Sequence, residues 1–162
     1  MRKLALVLVP CLAAALAPLA AAQATQVTGH VDSFAYIHGV GDASTTSTVA
    51  VAMPGMALDI SSRRGPVLIS FCGKSSPVDI ILVQARVDGV LARPGEIVLD
   101  AEVFSEVPVF ETHCFQFVAP NLRCGDHHIE MFFRSLEGGA IRIQERSLSA
   151  LFNDLGKADC GR

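Results

Sequence analysis

Residues 123–135 read Arg123-Cys-Gly-Asp-His-His-Ile-Glu-Met-Phe-Phe-Arg-Ser135, and the period of their apolar side chains decides the fold class. Ile129, Met131 and Phe133 recur two apart, so they share one face of an extended strand. His127 opens that inward row, while His128, Glu130 and Phe132 point the other way. The same stretch holds two histidines, a cysteine, an aspartate and a glutamate, which raises metal or acid–base chemistry as a second question.

The two-residue period recurs along the chain, bounded by Gly, Pro and Asp, as strands separated by turns require. Val49 and Val51 lead to Pro54-Gly55, read as a turn, and then to Met56, Leu58 and Ile60. In 67–72, Ile69 and Phe71 share a face. In 78–87, Ile81, Val83, Ala85 and Val87 face one way, and Asp88-Gly89 then forms a tight hairpin turn, since Gly takes positive φ without steric cost. Segments 97–104, 112–118, 127–134 and 140–152 complete the set, with Glu137-Gly138-Gly139 expected to join the last two as a hairpin. In the final segment Ile141 and Ile143 have one parity and Leu148, Ala150 and Phe152 the other, so a bulge is expected near Glu145-Arg146. No amphipathic helix interrupts this pattern. The chain therefore reads as all-β: an antiparallel β-sandwich of seven to nine strands with Greek-key or jelly-roll-like connections. Phe71, Phe115, Phe117, Met131 and Phe133 are its expected core.

The N-terminus supplies a compartment. Arg2 and Lys3 precede an apolar run broken by Pro10 and Pro18, and Ala22-Gln23-Ala24 is an A-x-A cleavage pattern, so residues 1–24 read as a secretory signal peptide rather than a membrane span. Taking 24 from 162 residues leaves 138 (25–162), enough for one domain with its own core. Within it, 39–47 reads as a mobile loop. Removing Arg2 and Lys3 from thirteen basic side chains leaves eleven against sixteen acidic ones. With no basic run, nucleic acid is not the expected partner. Cys72, Cys114, Cys124 and Cys160 remain, an even count that in an exported chain implies two disulfides with three connectivities open. Cys72 and Cys114 sit opposite inward phenylalanines, which favours Cys72–Cys114 with Cys124–Cys160.

The chemistry-bearing residues are weighed against ordinary strand faces. His128 and Glu130 share an outward face, and His113 or Glu111 would have to supply a third metal ligand from elsewhere. No H-E-x-x-H or G-x-S-x-G is present. Cys114 and His113 are adjacent on a strand and point to opposite faces, so they form no dyad. Asp100 with Glu102, and Glu106 with Glu111, are carboxylates of the kind that exposed strands commonly carry. The absence of Trp, with Tyr36 as the single Tyr, counts against an extended aromatic platform for sugars. Ile80, Leu82, Val98, Phe104 and Phe132 are apolar on outward faces, and a homo-oligomeric contact or an envelope protein partner would cover them.

Val87-Asp-Gly89, His113-Cys-Phe-Gln-Phe-Val-Ala-Pro120, Gly125-Asp-His127-His-Ile129 and Arg146-Ser-Leu148 come in an order that resembles exported bacterial β-sandwich, jelly-roll-like domains of uncharacterised function. Those domains carry a D-G turn, an S-F-x-W/F strand, a G-x-H-x-V strand and a closing R-[TS]-L segment, and the resemblance spans 67–152. It matches the histidine to His127 on the inward row, which implies a structural role. Cys114 stands where a small hydroxyl residue is usual and Cys124 is added, implying a disulfide-bearing branch. The resemblance implies no activity. The sequence thus points to an exported, non-enzymatic binding or assembly module, at the cell envelope or outside the cell, without a cofactor. The alternative is a small metal-dependent module or hydrolytic enzyme centred on His113, His128 and Glu130.

Overall fold

The computed structural model describes residues 31–75, 79–100, 110–154 and Cys160. The proposed signal segment, 1–24, lies outside them, as do Glu102, Phe104 and Glu106. Ten strands are described: β1 (Ser33–Gly39), β2 (Ala43–Thr45), β3 (Val51–Ser62), β4 (Gly65–Ser75), β5 (Ile81–Val87), β6 (Val90–Leu91), β7 (Ile97–Asp100), β8 (Glu111–Leu122), β9 (Gly125–Ser135) and β10 (Ile141–Phe152). One sheet runs β1-β10-β4-β8, with β2 also on β10. The other runs β3-β9-β5-β6, with β7 also on β5. Among the described residues no helix is long and apolar enough to cross a membrane.

This is the all-β sandwich that the two-residue period implies, and most connections cross from one sheet to the other, the jelly-roll form of it. That crossing corrects one expectation. Strands β9 and β10 are not a hairpin but belong to opposite sheets. The Glu137–Gly139 segment is an arch between them, organised by the buried carboxylate of Asp79. Asp79 accepts hydrogen bonds from the Ser135 hydroxyl and from the backbone amides of Glu137 (3.0 Å), Gly139 (2.9 Å) and Ile80 (2.6 Å). The Ser135 hydroxyl, followed by the Gly139, Glu137 and Ile80 amides, outweighs desolvation and holds the Asp79 pKa at about 2. Its contribution is present above the ordinary carboxylate value and is lost as pH falls through about 2. A Cβ at Gly139 would lie 2.9 Å from the Asp79 Cβ, so this arch needs glycine there.

Two further corrections concern turns and loops. Pro54-Gly55 is not a turn between strands, because β3 runs through it as a wide bulge. The five steps from Ala52 to Ala57 span only the two from Phe132 to Glu130 on β9. Gly55 takes φ 70°, and the extra residues let Met53 and Met56 both reach the core. The 39–47 stretch, expected as a loop, carries strand β2, whose Ala43 is buried against β10. Strand β1 itself, Ser33–Gly39, adds to the expected set.

The bulge expected in the last strand is present. Gln144 pairs Lys74 and Ser147 pairs Cys72, so Glu145 and Arg146 together oppose Gly73. Glu145 takes φ 44°. The extra residue switches parity, and Ile141, Ile143, Leu148, Ala150 and Phe152 are all buried. Arg146 turns inward with them, 2% exposed. Its guanidinium donates from Nη1 to the carbonyls of Gly41 (2.7 Å) and Ile143 (2.9 Å), and from Nη2 to that of Pro54 (3.2 Å). One side chain thus joins the bulge of β10 to the bulge of β3 across the sandwich.

Both disulfides form in the favoured pairing. Cys72 and Cys114 are directly opposed on β4 and β8, Cα–Cα 4.1 Å. Cys124–Cys160 ties the β8–β9 connection to the tail of the chain. Loops of 42 and 36 residues correspond to about 4 kcal/mol each in the chain-entropy view.

Of the expected core, Phe71, Phe117, Met131 and Phe133 are buried and Phe115 is only partly so. The difference gives a graded prediction. Phe117→Ala should destabilise the disulfide-bonded domain by about 3–5 kcal/mol in urea titrations, and Phe115→Ala by clearly less. Equal losses would contradict the difference in burial described.

Candidate functional site

The sequence candidates are not brought together. His128 and Glu130 lie on the outer face of β9, whereas His113 lies on β8 of the other sheet. Among the described residues no group of three His, Cys, Asp or Glu side chains is placed to hold a metal ion. His113 instead approaches Glu111, Nε2 to Oε2 3.8 Å. His128 faces Asp59, its register partner on β3, with Nδ1 2.7 Å from Oδ1. That hydrogen bond, ahead of partial desolvation, raises the His128 pKa.

The outer face around them is internally paired. The guanidinium of Arg86 sits 4.2 Å from the ring centroid of Phe132, covering the residue expected to anchor an apolar patch. Strands β5 and β9 are neighbours, as such a patch would require, but Leu82 is buried and Phe132 half-buried. Beside them Arg134 donates to Glu96 through two bonds, Nε to Oε1 2.8 Å and Nη2 to Oε2 2.6 Å. Of the outward apolar residues expected here, Val98, beside Leu82 on β7, is exposed, while Phe132 itself is covered by Arg86.

The other sheet presents a different outer face. Phe34 and Tyr36, two apart on β1, are 60% and 56% exposed, with ring centroids 6.2 Å apart and planes 18° from parallel. Register places Phe34 beside Leu151 and Leu151 beside Leu68, an apolar row running on to Val118. The next row is Tyr36, Ser149, Ser70 and Gln116. These hydroxyls and the amide make no side-chain hydrogen bond among the described residues. Sequence reading passed over this pair, although Phe-Ala-Tyr-Ile at 34–37 alternates as a strand does. With only seven residues and a single Tyr, the segment offered a short and easily missed signal.

A third feature surrounds His127. Asp88 and Gly89 take φ 52° and 78°, so the β5–β6 hairpin turns through two left-handed residues. This aims the Asp88 carboxylate back at β9. Its Oδ2 lies 2.6 Å from His127 Nδ1, and its Oδ1 accepts from the His128 amide at 2.8 Å. His127 Nε2 faces the carbonyl of Arg123 at 2.8 Å. A carbonyl only accepts, and so does an ionised carboxylate, so the two contacts favour the doubly protonated imidazolium form of His127. Burial opposes that charge, but the Asp88 bond and the Arg123 carbonyl outweigh it and raise the pKa. Burial also opposes ionisation of Asp88, and the His127 and His128 bonds outweigh it, lowering the carboxyl. Both ring nitrogens are thus engaged within the chain. His127 is inward and buried, as expected, with a carboxylate partner that sequence could not supply because it lies 39 residues away. The pair forms one wall of a cleft of about 440 Å³ between the β5–β6 hairpin and the C-terminal half of β8.

The chain matches no protein-family model and no curated protein sequence. Among solved structures it is similar to the infectious bursal disease virus VP2 subviral particle, with TM-score 0.48 and 12% identity over 80% of this chain and 34% of that one. It is also similar to dimeric latent PorU from Porphyromonas gingivalis, TM-score 0.43 and 13% identity over 82% and 14%. A third is the C-terminal CBM6 of LamC, a marine laminarinase from Zobellia galactanivorans, TM-score 0.41 and 11% identity over 74% and 99%. The chain thus spans about a third of the first and a seventh of the second. The likeness is one of two-sheet architecture.

The clasp of His127 with Asp88 has a pH signature. A raised histidine pKa means stability that is whole below about pH 6.5 and lost as pH rises through the folded value. The lowered Asp88 sets the acid side, present above the ordinary carboxylate value and lost as pH falls through the folded one. The urea midpoint should therefore fall between pH 6 and pH 9. Asp88→Asn, which tolerates the left-handed turn, should flatten that slope more than Asp59→Asn at the exposed His128 pair. An unchanged slope in Asp88→Asn would show that His127 is not protonated through this carboxylate.

Proposed function

We propose that this protein is an exported, non-enzymatic assembly module that works through the outer face of the β1-β10-β4-β8 sheet. The observation that carries the reading is the exposed, stacked pair Phe34 and Tyr36 beside Leu151. Large apolar side chains on one continuous sheet face, next to a row of uncommitted hydroxyls, are what a protein-binding surface needs: an apolar centre with polar groups at hand. The contrast with the opposite sheet matters. There His128, Arg86 and Arg134 each already have a partner within the chain, so docking onto them would have to break those contacts first.

Export is part of the reading. It is supported by the form of residues 1–24 and by two disulfides, which persist in oxidising compartments. The occupant is another folded surface, a second copy or an envelope protein. Covering a few hundred Å² of apolar area yields several kcal/mol at about 25 cal/mol per Å², before the cost of association. That suits a module that assembles at high local concentration.

Photo-crosslinking tests this directly. Tyr36→benzoylphenylalanine, made in the native host, should give a light-dependent adduct of discrete mass, either a doubled chain or a chain joined to one protein. Val49→benzoylphenylalanine, exposed before β3, should not, and Phe34→Ser with Leu151→Ser should remove the adduct at 36. Crosslinking no stronger at 36 than at 49 would overturn the assignment of this face.

A further inference from the structure

The cleft beside His127 has features that neither the fold nor the proposed assembly face requires. Its floor is apolar and closed, formed by the buried Val87, Ala92 and Ala119. One end is fixed by reciprocal backbone hydrogen bonds between Arg93 and Val118, 2.9 and 2.8 Å. The other end is fixed by the His127 clasp and, one residue beyond Arg123, by the Cys124–Cys160 disulfide. The cavity is thus held open by covalent and hydrogen-bonded walls rather than by loosely packed side chains. About 440 Å³ falls within the range of small-molecule sites. At the mouth, Val90 and Leu91 on the hairpin are 71% and 48% exposed, placing apolar surface where a bound molecule would meet it.

Charge selects the ligand class. Asp88 and His127 neutralise each other in their hydrogen-bonded pair. The guanidinium of Arg123, at the exposed rim, forms no ion pair or hydrogen bond among the described residues, and neither does the neighbouring amide of Asn121. The cleft therefore offers an apolar floor, one uncompensated cation and one free amide. A guanidinium matches a carboxylate through paired N–H donors.

We propose that this cleft binds a small apolar carboxylate, its ring or aliphatic body against Val87, Leu91 and Leu122 and its carboxylate on Arg123. Binding here is independent of the Phe34–Tyr36 pair, which lies on β1 at the opposite edge of the sheet from β8 and lines no part of the cleft.

The probes are a panel of carboxylates, from butyrate to decanoate and from phenylacetate to indole-3-butyrate, with the primary amide of each as the uncharged match. They are titrated into the disulfide-bonded mature protein and followed by amide chemical shifts. At least one acid should give saturable shifts confined to 87–92 and 119–127, at least fivefold tighter than its amide. Arg123→Gln should abolish that preference for the acid, Leu91→Ser should weaken acid and amide alike, and Phe34→Ser should change neither. No saturable shift with any member, equal affinity for acid and amide, or an unaltered preference in Arg123→Gln would overturn the proposal, whatever the crosslinking at Tyr36 returns.

Discussion

A single buried guanidinium links the bulge of one sheet to the bulge of the other. Arg146 is among the largest fully buried side chains, and burying a charge is costly unless it is hydrogen-bonded. Desolvation pushes its pKa down while Asp42 opposes this, and an arginine stays charged under such shifts. The compensation comes from carbonyls that need it. A bulge removes residues from the ladder and leaves their backbone groups without strand partners. Arg146 meets the carbonyls of Gly41 and Ile143 on its own sheet and that of Pro54 in the bulge of the opposite sheet. The neighbouring residues are shaped to admit it. A Cβ at Gly39 would lie 3.1 Å from Nη2 and 2.7 Å from the Met56 methyl, so a larger residue here would displace the ends of both side chains.

From that constraint follows the division between the two outer faces. The parity switch at Arg146 turns Leu148, Ala150 and Phe152 inward and so turns Ser147, Ser149 and Leu151 outward. Strand β1 pairs with this stretch from Phe152 to Arg146, which sets Phe34 and Tyr36 on the same outer face. Without the extra residue in β10, one or the other half of its apolar row would be in water. On the far sheet the β3 bulge likewise ends with Asp59 opposite His128, one of the charge pairs on that face. An aromatic face and a charge-paired face are both consequences of where two strands break register.

Much of this was legible in the sequence because it is local. Alternation in 127–134 and 81–87 gave strands and inward rows, and the clash of parity between Ile143 and Leu148 required a bulge where one exists. The disulfide pairing followed from the side of each strand on which Cys72 and Cys114 lie. What was missed is non-local. Nothing in Glu137-Gly138-Gly139 says that it joins two sheets rather than two neighbours; Asp79 decides that from 58 residues away. Pro54-Gly55 has the composition of a turn, and its pairing with β9 on both sides, which local sequence does not show, makes it a bulge inside a strand. His127 was recognisable as inward, but its ionisation depends on a carboxylate brought over by the β5–β6 hairpin. The outward phenylalanine at 132 was visible, whereas the arginine that covers it was not.

The central claim is that Arg146 couples the bulges of opposite sheets, and Arg146→Leu examined by native-state hydrogen exchange tests it most directly. Leucine keeps apolar volume but strands the buried Ile143 carbonyl, worth about 1–3 kcal/mol when left unsatisfied, and releases the part-buried carbonyls of Gly41 and Pro54. The account predicts a stability loss of about 1–3 kcal/mol, with protection falling together in 52–57 of β3 and 141–147 of β10 while 81–87 of β5 keeps its relative rank. A loss below about 0.5 kcal/mol, or deprotection limited to β10, would contradict it.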